Sequence, residues 1–137
     1  MKILFLDDEE VRYEELCRRL PNLKVDRAAD MEQFVCLLRD QDYDVIFLDH
    51  DLGHNTKTGM DCARFLVRHY KNKPTTCQVL VHSLNNIGAN AMKFILTECD
   101  NLDVVLAPWA WKRLKVDQEG KVTLLALSVE TFNKENG

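Results

Sequence analysis

No stretch of the sequence approaches the roughly 20 consecutive apolar residues that a membrane-spanning helix requires, so a helical membrane anchor is not expected. The opening "MKILFL" is a short apolar run cut off by Asp7 and Asp8, too short for the core of a secretory signal. Cys17, Cys36, Cys62, Cys77 and Cys99 stand singly, odd in number and without a Cys-x-x-Cys pair. That usage argues against a disulfide framework and for a reducing, cytoplasmic setting. An excess of positive charge is also missing. The 18 Lys and Arg residues are outnumbered by 22 Asp and Glu, for a net charge of −4, and both signs are spread along the chain. A one-sided basic footprint for duplex DNA is therefore not expected. A small phosphorylated ligand or an RNA end remains in reach, because a local pocket needs only a few donors whatever the total charge. There is no internal repeat or low-complexity tract, and only "NKENG" at the C-terminus reads as frayed.

What is present is a single globular unit. A chain of 137 residues that is 46% hydrophobic suits one domain over 1–137, burying about two thirds of its unfolded surface. Short apolar runs alternate with longer stretches of helical period, the pattern of a parallel sheet covered on both faces. Five strands are expected at 2–7, 23–29, 44–49, 78–83 and 103–107. The second alternates and carries Lys24, Asp26 and Arg27, which suits an edge; the other four are continuous apolar runs of the kind found in central strands. Helices are expected at 9–20, after the Asp30/Gln33 capping pattern, at 60–70, and at 88–98 with Gly88 opening it. From about residue 109 the pattern weakens, and "WAWKRLKVDQEGKVTLLALSVETF" reads either as a hairpin turning at "DQEG" or as an irregular piece followed by a helix. Five strands with four crossovers imply a flavodoxin-like α/β sandwich of order 2-1-3-4-5, whose ligands bind at the C-terminal strand ends.

Those ends concentrate polar residues. Asp7, Asp8, Asp49 and Asp51 put up to four carboxylates at one rim, a repulsive set unless a cation is present, and hard oxygen ligands suit Mg²⁺ or Mn²⁺. For Asp8 and Asp51 the competing reading is an ordinary cap. Asp7 and Asp49 end two central strands, where carboxylates offer little to stability. His50 and His82 each follow an apolar run at the same rim, and imidazole suits proton transfer near neutral pH. His54 and His69 read as solvated or packing residues. Ser83, Asn85 and Asn86, in "HSLNNIG", offer the donors of an anion site or simply a cap and turn. Loop 52–59 has the length of a flap, and its Lys57 reads either as a phosphate contact or as a solvated lysine. Trp109 and Trp111 read as a base-stacking pair or as core.

"LFLDDE", "VIFLD" and the "AP" after the fifth strand together resemble the receiver domain of two-component response regulators over residues 1 to about 108. The resemblance implies Mg²⁺ at Asp7 and Asp8 and phosphate acceptance at Asp49. Two positions depart from it: Ala107 stands where a receiver has lysine, and His82, followed by Ser83, where it has Ser or Thr. "FLDHDLG", "TGMD" and "VHSLNNIGANAM" are closer to the cyclic-phosphate processing receiver domains, whose name records a proposed role on cyclic phosphates in RNA end repair or cyclic-nucleotide chemistry. The leading expectation is a phosphoesterase-like enzyme for a cyclic phosphate: a 2′,3′-cyclic nucleotide, an RNA end or a cyclic oligonucleotide. His50, His82 and Asp49 would be its catalytic residues, with Asp7, Asp8, Asp49 and Asp51 toward a metal and Ser83, Asn85, Asn86 and Lys57 toward phosphate. The alternatives are a signalling receiver using Asp49, and a non-catalytic cyclic-nucleotide binder.

Overall fold

The computed structural model of the protein describes residues 1–53, 57–116 and 122–124. Its chain alternates β1 (Ile3–Leu6), α1 (Glu10–Arg19), β2 (Val25–Ala28), α2 (Met31–Asp40), β3 (Val45–Leu48), α3 (Gly59–Tyr70), β4 (Cys77–Val81), α4 (Asn86–Leu96) and β5 (Leu102–Leu106). The strands form one parallel sheet in the order β2-β1-β3-β4-β5, as the crossover argument requires. The polar second strand is an edge. β5 is the other edge, although its sequence is apolar; Asp103 is exposed and Val104 to Leu106 are only half-buried.

Helix boundaries follow local chemistry. The Asp30 carboxylate accepts the Gln33 N–H at 2.9 Å, and the Gln33 side chain reaches back to the Ala29 N–H. Thr58 and Asp61 form a full capping box at α3. α4 begins two residues earlier than the sequence suggests, because Asn85 caps it by accepting the Gly88 N–H at 3.0 Å. Gly88 lies inside the first turn. A Cβ there would come within 2.5 Å of the His50 ring, so the glycine makes room for a histidine instead of starting the helix.

Two cores flank the sheet. On one face, Phe34 and Leu38 of α2, Leu66 and Tyr70 of α3, and Met92 and Leu96 of α4 pack on Leu4, Leu6, Ile46, Leu48, Val79 and Val81. On the other, Leu16 of α1 and Leu20 join Phe5, Phe47, Leu80 and Trp111, the last supplied by the short helix α5 (Ala110–Arg113). Each such fully buried aliphatic or aromatic side chain contributes about 1.5–3 kcal/mol. Beyond α5, β6 (Leu114–Val116) and β7 (Val122–Leu124) pair antiparallel, the hairpin alternative for this segment. Its turn, the "NKENG" terminus and His54 in the flap loop lie outside the described residues. Among the described residues, no helix is long and apolar enough to cross a membrane.

Gly59 fixes the distance between α3 and the end of β3. Its N–H donates to the His50 carbonyl at 2.8 Å. A Cβ at this position would collide with the Asp49 carbonyl oxygen and lie 2.7 Å from Met92 Sδ. Gly59→Ala is expected to lower the unfolding free energy by about 1–3 kcal/mol in urea denaturation. Arg64→Ala, on the exposed side of the same helix, should change it by no more than about 0.5 kcal/mol.

Candidate functional site

Register builds the site. Leu6 pairs with Leu48, and Leu48 with Val81, so the next residues, Asp7, Asp49 and His82, leave the sheet side by side. The ladder continues one step through them, with Asp49 N–H on Leu6 O and His82 N–H on Leu48 O. Side chains alternate along a strand, so all three share the face of Phe5, Phe47 and Leu80, the α1/α5 face. Ala107 continues the same row, buried in that core.

Asp7 is fully buried and saturated with donors. Its Oδ1 accepts the Glu9 N–H at 2.8 Å; its Oδ2 lies 2.9 Å from His82 Nε2 and 3.3 Å from Arg12 Nη1. Burial pushes its pKa up, but His82, the Glu9 N–H and Arg12 together outweigh burial and hold it below the usual carboxylate value. An ionised carboxylate only accepts, so His82 Nε2 carries the proton of that bond. The imidazole is itself fully buried, stacked on Phe5 at 4.9 Å and edge-on to Trp111 at 5.4 Å. Its Nδ1 has no hydrogen-bond partner among the described residues.

Asp49 has a different environment. Its Oδ1 accepts the His50 N–H at 2.9 Å, whereas among the described residues Oδ2 meets only Arg12 Nη1, at 3.8 Å. Burial, reinforced by the Asp7 charge and only partly offset by His82 and Arg12, raises its pKa to about 6. The two carboxylates are thereby divided into a fixed anion and a group that exchanges a proton near neutrality.

Arg12 carries no mark in the sequence beyond standing five residues after Asp7. It projects from the first turn of α1, its Nε 3.2 Å from Glu9 Oε2 and its guanidinium 4.7 Å from the Trp111 ring centre. Trp109, which precedes α5 at a left-handed φ of 63°, is half-buried against Trp111. Trp111 is core and a platform for Arg12.

The remaining expected residues lie around this centre. Asp8, Asp49 and Asp51 line a cleft of about 430 Å³ together with Glu9, Arg12, Gly53 and Leu84. Asp8 does not cap α1; the N-cap is Glu9, without a side-chain bond. A side chain at Gly53, whose φ is +67°, would strike the Asp8 carboxylate. Asp51 does not cap a helix either; it accepts from His50 Nδ1 at 2.8 Å, which leaves His50 Nε2 without a partner among the described residues. Asn85 Nδ2 stands farther from that Nδ1, at 3.5 Å. His50 is one residue out of step with Asp7, Asp49 and His82 and lies against α4, on the opposite face from His82. The two rings thus share no partner. Ser83 Oγ accepts the Asn85 N–H and Asn85 caps α4, so both side chains are engaged in the cap. Asn86 is exposed in the first turn of α4, and Lys57 is exposed ahead of α3 and does not line the cleft.

Asp7, Asp49 and His82 offer one ligand atom each, all within 4.8 Å of one another, and could hold a metal ion. The two carboxylates fit Mg²⁺ or Mn²⁺, and an imidazole nitrogen favours Mn²⁺ of the two. Ligation through His82 Nε2 would displace its proton toward Nδ1, which is buried and has no acceptor among the described residues, so the carboxylates are the better donors.

The family described as "Cyclic-phosphate processing Receiver domain" matches residues 2–98. No curated protein sequence matches the chain. Among solved structures, a response regulator from Burkholderia pseudomallei with a phosphorylated aspartic acid, calcium ion and citrate is 21% identical, with a TM-score of 0.56 over 79% of this chain and 61% of its own. The chain thus spans less than two thirds of that protein. The Vibrio cholerae chemotaxis protein CheY4 is 17% identical, with a TM-score of 0.55 over 98% and 94% of the two chains. A receiver domain from Rhodospirillum rubrum is 12% identical, with a TM-score of 0.56 over 88% and 84%. These likenesses show the fold.

The raised pKa of Asp49 has a consequence for stability. The folded state keeps this proton up to about pH 6, whereas an ordinary carboxyl loses it near 3.8, so stability associated with Asp49 is full below that lower value and lost as pH rises through 6. In metal-free buffer, Asp49→Asn is expected to stabilise the protein relative to wild type by up to about 3 kcal/mol at pH 8, with the gain disappearing near pH 4. Urea denaturation across that range measures it; a pH-independent difference would contradict the assignment.

Proposed function

The chain belongs to the cyclic-phosphate processing receiver domain family, and from that premise we propose that its cleft hydrolyses a cyclic phosphate ester, such as a 2′,3′-cyclic nucleotide or the 2′,3′-cyclic end of an RNA. The observation that carries this reading is geometric: Asp7 is saturated by the Glu9 N–H, His82 and Arg12, whereas Asp49 lines the cleft and its Oδ2 makes no hydrogen bond among the described residues. Hydrolysis forms a bond from water oxygen to phosphorus, breaks one ring P–O bond, and moves a proton from the water to the departing alkoxide. Asp49 Oδ2, which meets Arg12 at 3.8 Å and makes no hydrogen bond among the described residues, is placed to take a proton from the water. Asp49 can then hand that proton to the departing alkoxide, while His50, which lies against α4 and does not line the cleft, acts through Asp51, which does line it, as a positioning residue. His82 is buried beneath Asp7 and acts through it, as a positioning residue. A divalent ion held by Asp7 and Asp49 would supply charge against the phosphate oxygens, and Asp49 would then serve as ligand instead of base.

A receiver that accepts phosphate on Asp49 is compatible with the same fold and carboxylates, and one experiment separates the readings. The purified protein is incubated with 2′,3′-cyclic nucleotides, a 2′,3′-cyclic RNA end and cyclic oligonucleotides, with and without Mg²⁺ or Mn²⁺. Ring opening is expected, reduced about 10²–10⁴-fold by Asp49→Asn and less severely by His50→Ala and by His82→Ala. Acid-labile labelling of Asp49 by acetyl phosphate without any ring opening would support the receiver. Tight binding without turnover would support a sensor.

A further inference from the structure

The cleft is poor in positive charge. Asp8, Glu9, Asp49 and Asp51 line it, and among the described residues that do so Arg12 is the sole cation. An anion entering must therefore be met by Arg12 or bring its own cation. Arg12 is anchored by Glu9 at 3.2 Å, by Asp7 at 3.3 Å and by the Trp111 ring at 4.7 Å, and its side chain remains 20% exposed. The 3.8 Å separation of Nη1 from Asp49 is too long for a hydrogen bond, and Nη2 makes none among the described residues. A guanidinium has five donors in a fixed fork, so a held cation with spare donors stands where an anion would enter.

We infer that Arg12 is the anion-recognising residue of the cleft, donating to two non-bridging phosphate oxygens and placing phosphorus beside Asp49. The inference rests on the proposed reading of the cleft as a phosphate site and adds the group that selects the phosphate. Lysine is a poor substitute, since a single ammonium has neither the flat face for Trp111 nor the paired donors. The fork reads the phosphate and leaves the nucleoside to other contacts, so affinity for inorganic phosphate and for a cyclic nucleotide should depend on Arg12 to a similar degree.

The test is calorimetric titration of wild type, Arg12→Gln and Arg12→Lys with inorganic phosphate and with adenosine 2′,3′-cyclic phosphate, with and without Mg²⁺, each variant's fold being checked by circular dichroism. A 10- to 100-fold loss of affinity for both probes is expected in Arg12→Gln, with Arg12→Lys recovering only part of it. In ¹⁵N-labelled wild type, which needs no variant to fold, the Arg12 Nε–H resonance should shift with the same midpoint as the calorimetric curve. Equal affinity in wild type and Arg12→Gln, an unmoved Arg12 resonance at saturation, or no binding of either probe by wild type would each overturn the inference. Arg12-dependent binding without ring opening would uphold the inference and overturn the hydrolase reading. Ring opening with an unchanged KM in Arg12→Gln would do the reverse.

Discussion

Asp7 and Asp49 leave adjacent strands at the same level, both nearly inaccessible to water, and the rest of the site is organised around the cost of placing two carboxylates there. Neighbouring parallel strands lie about 4.8 Å apart, a distance at which two ionised groups in a protein interior repel strongly. The repulsion is relieved unevenly. His82 and the Glu9 N–H are committed to Asp7, so Asp7 remains the anion, while burial, with the Asp7 charge adding to it, raises the affinity of Asp49 for protons.

The positive charge in this scheme comes from a helix. Ala107 occupies the row position where the receiver resemblance leads one to expect lysine, and it is packed into the apolar core with Trp111 and Ala110. Arg12 supplies a cation from α1 instead, lying over the face of Trp111. Ala107 and Trp111 belong to one core, and the indole of that core carries the Arg12 guanidinium.

Strand parity decides what each histidine does. His82 is the first residue after β4 and falls in step with Asp7 and Asp49; His50 is the second residue after β3 and falls out of step. One imidazole is therefore sealed beneath Asp7 among aromatic rings, while the other lies against the first turn of α4 with Asp51. A polar rim read as one surface has two faces, linked by the backbone between Asp49 and His50 and by Asp51, which lines the cleft and is bonded to His50. Gly59 and Gly88 permit this closeness, the first by letting α3 meet that backbone and the second by making room for the His50 ring.

The alternation of apolar runs and helical periods was enough to specify five strands, their parallel order and the end of the sheet where polar residues gather, because hydrophobic burial and crossover handedness act over short stretches and leave a periodic trace. Asp7 and Asp49 were legible for the same reason, as charges ending runs that would otherwise be wholly buried. Nothing local marks Arg12 as their partner or Trp111 as its platform, since that contact joins α1 to α5 and exists only once the sheet sets the distance between them. Nor does local sequence give the proton affinity of Asp49, which depends on how far water is excluded and on which carboxylate His82 reaches. The sequence by itself determined the fold and the two acids; the separation of the histidines, the cation at the cleft and the difference between the carboxylates were decided by tertiary structure, because electrostatic energies depend on distance and burial rather than on order along the chain.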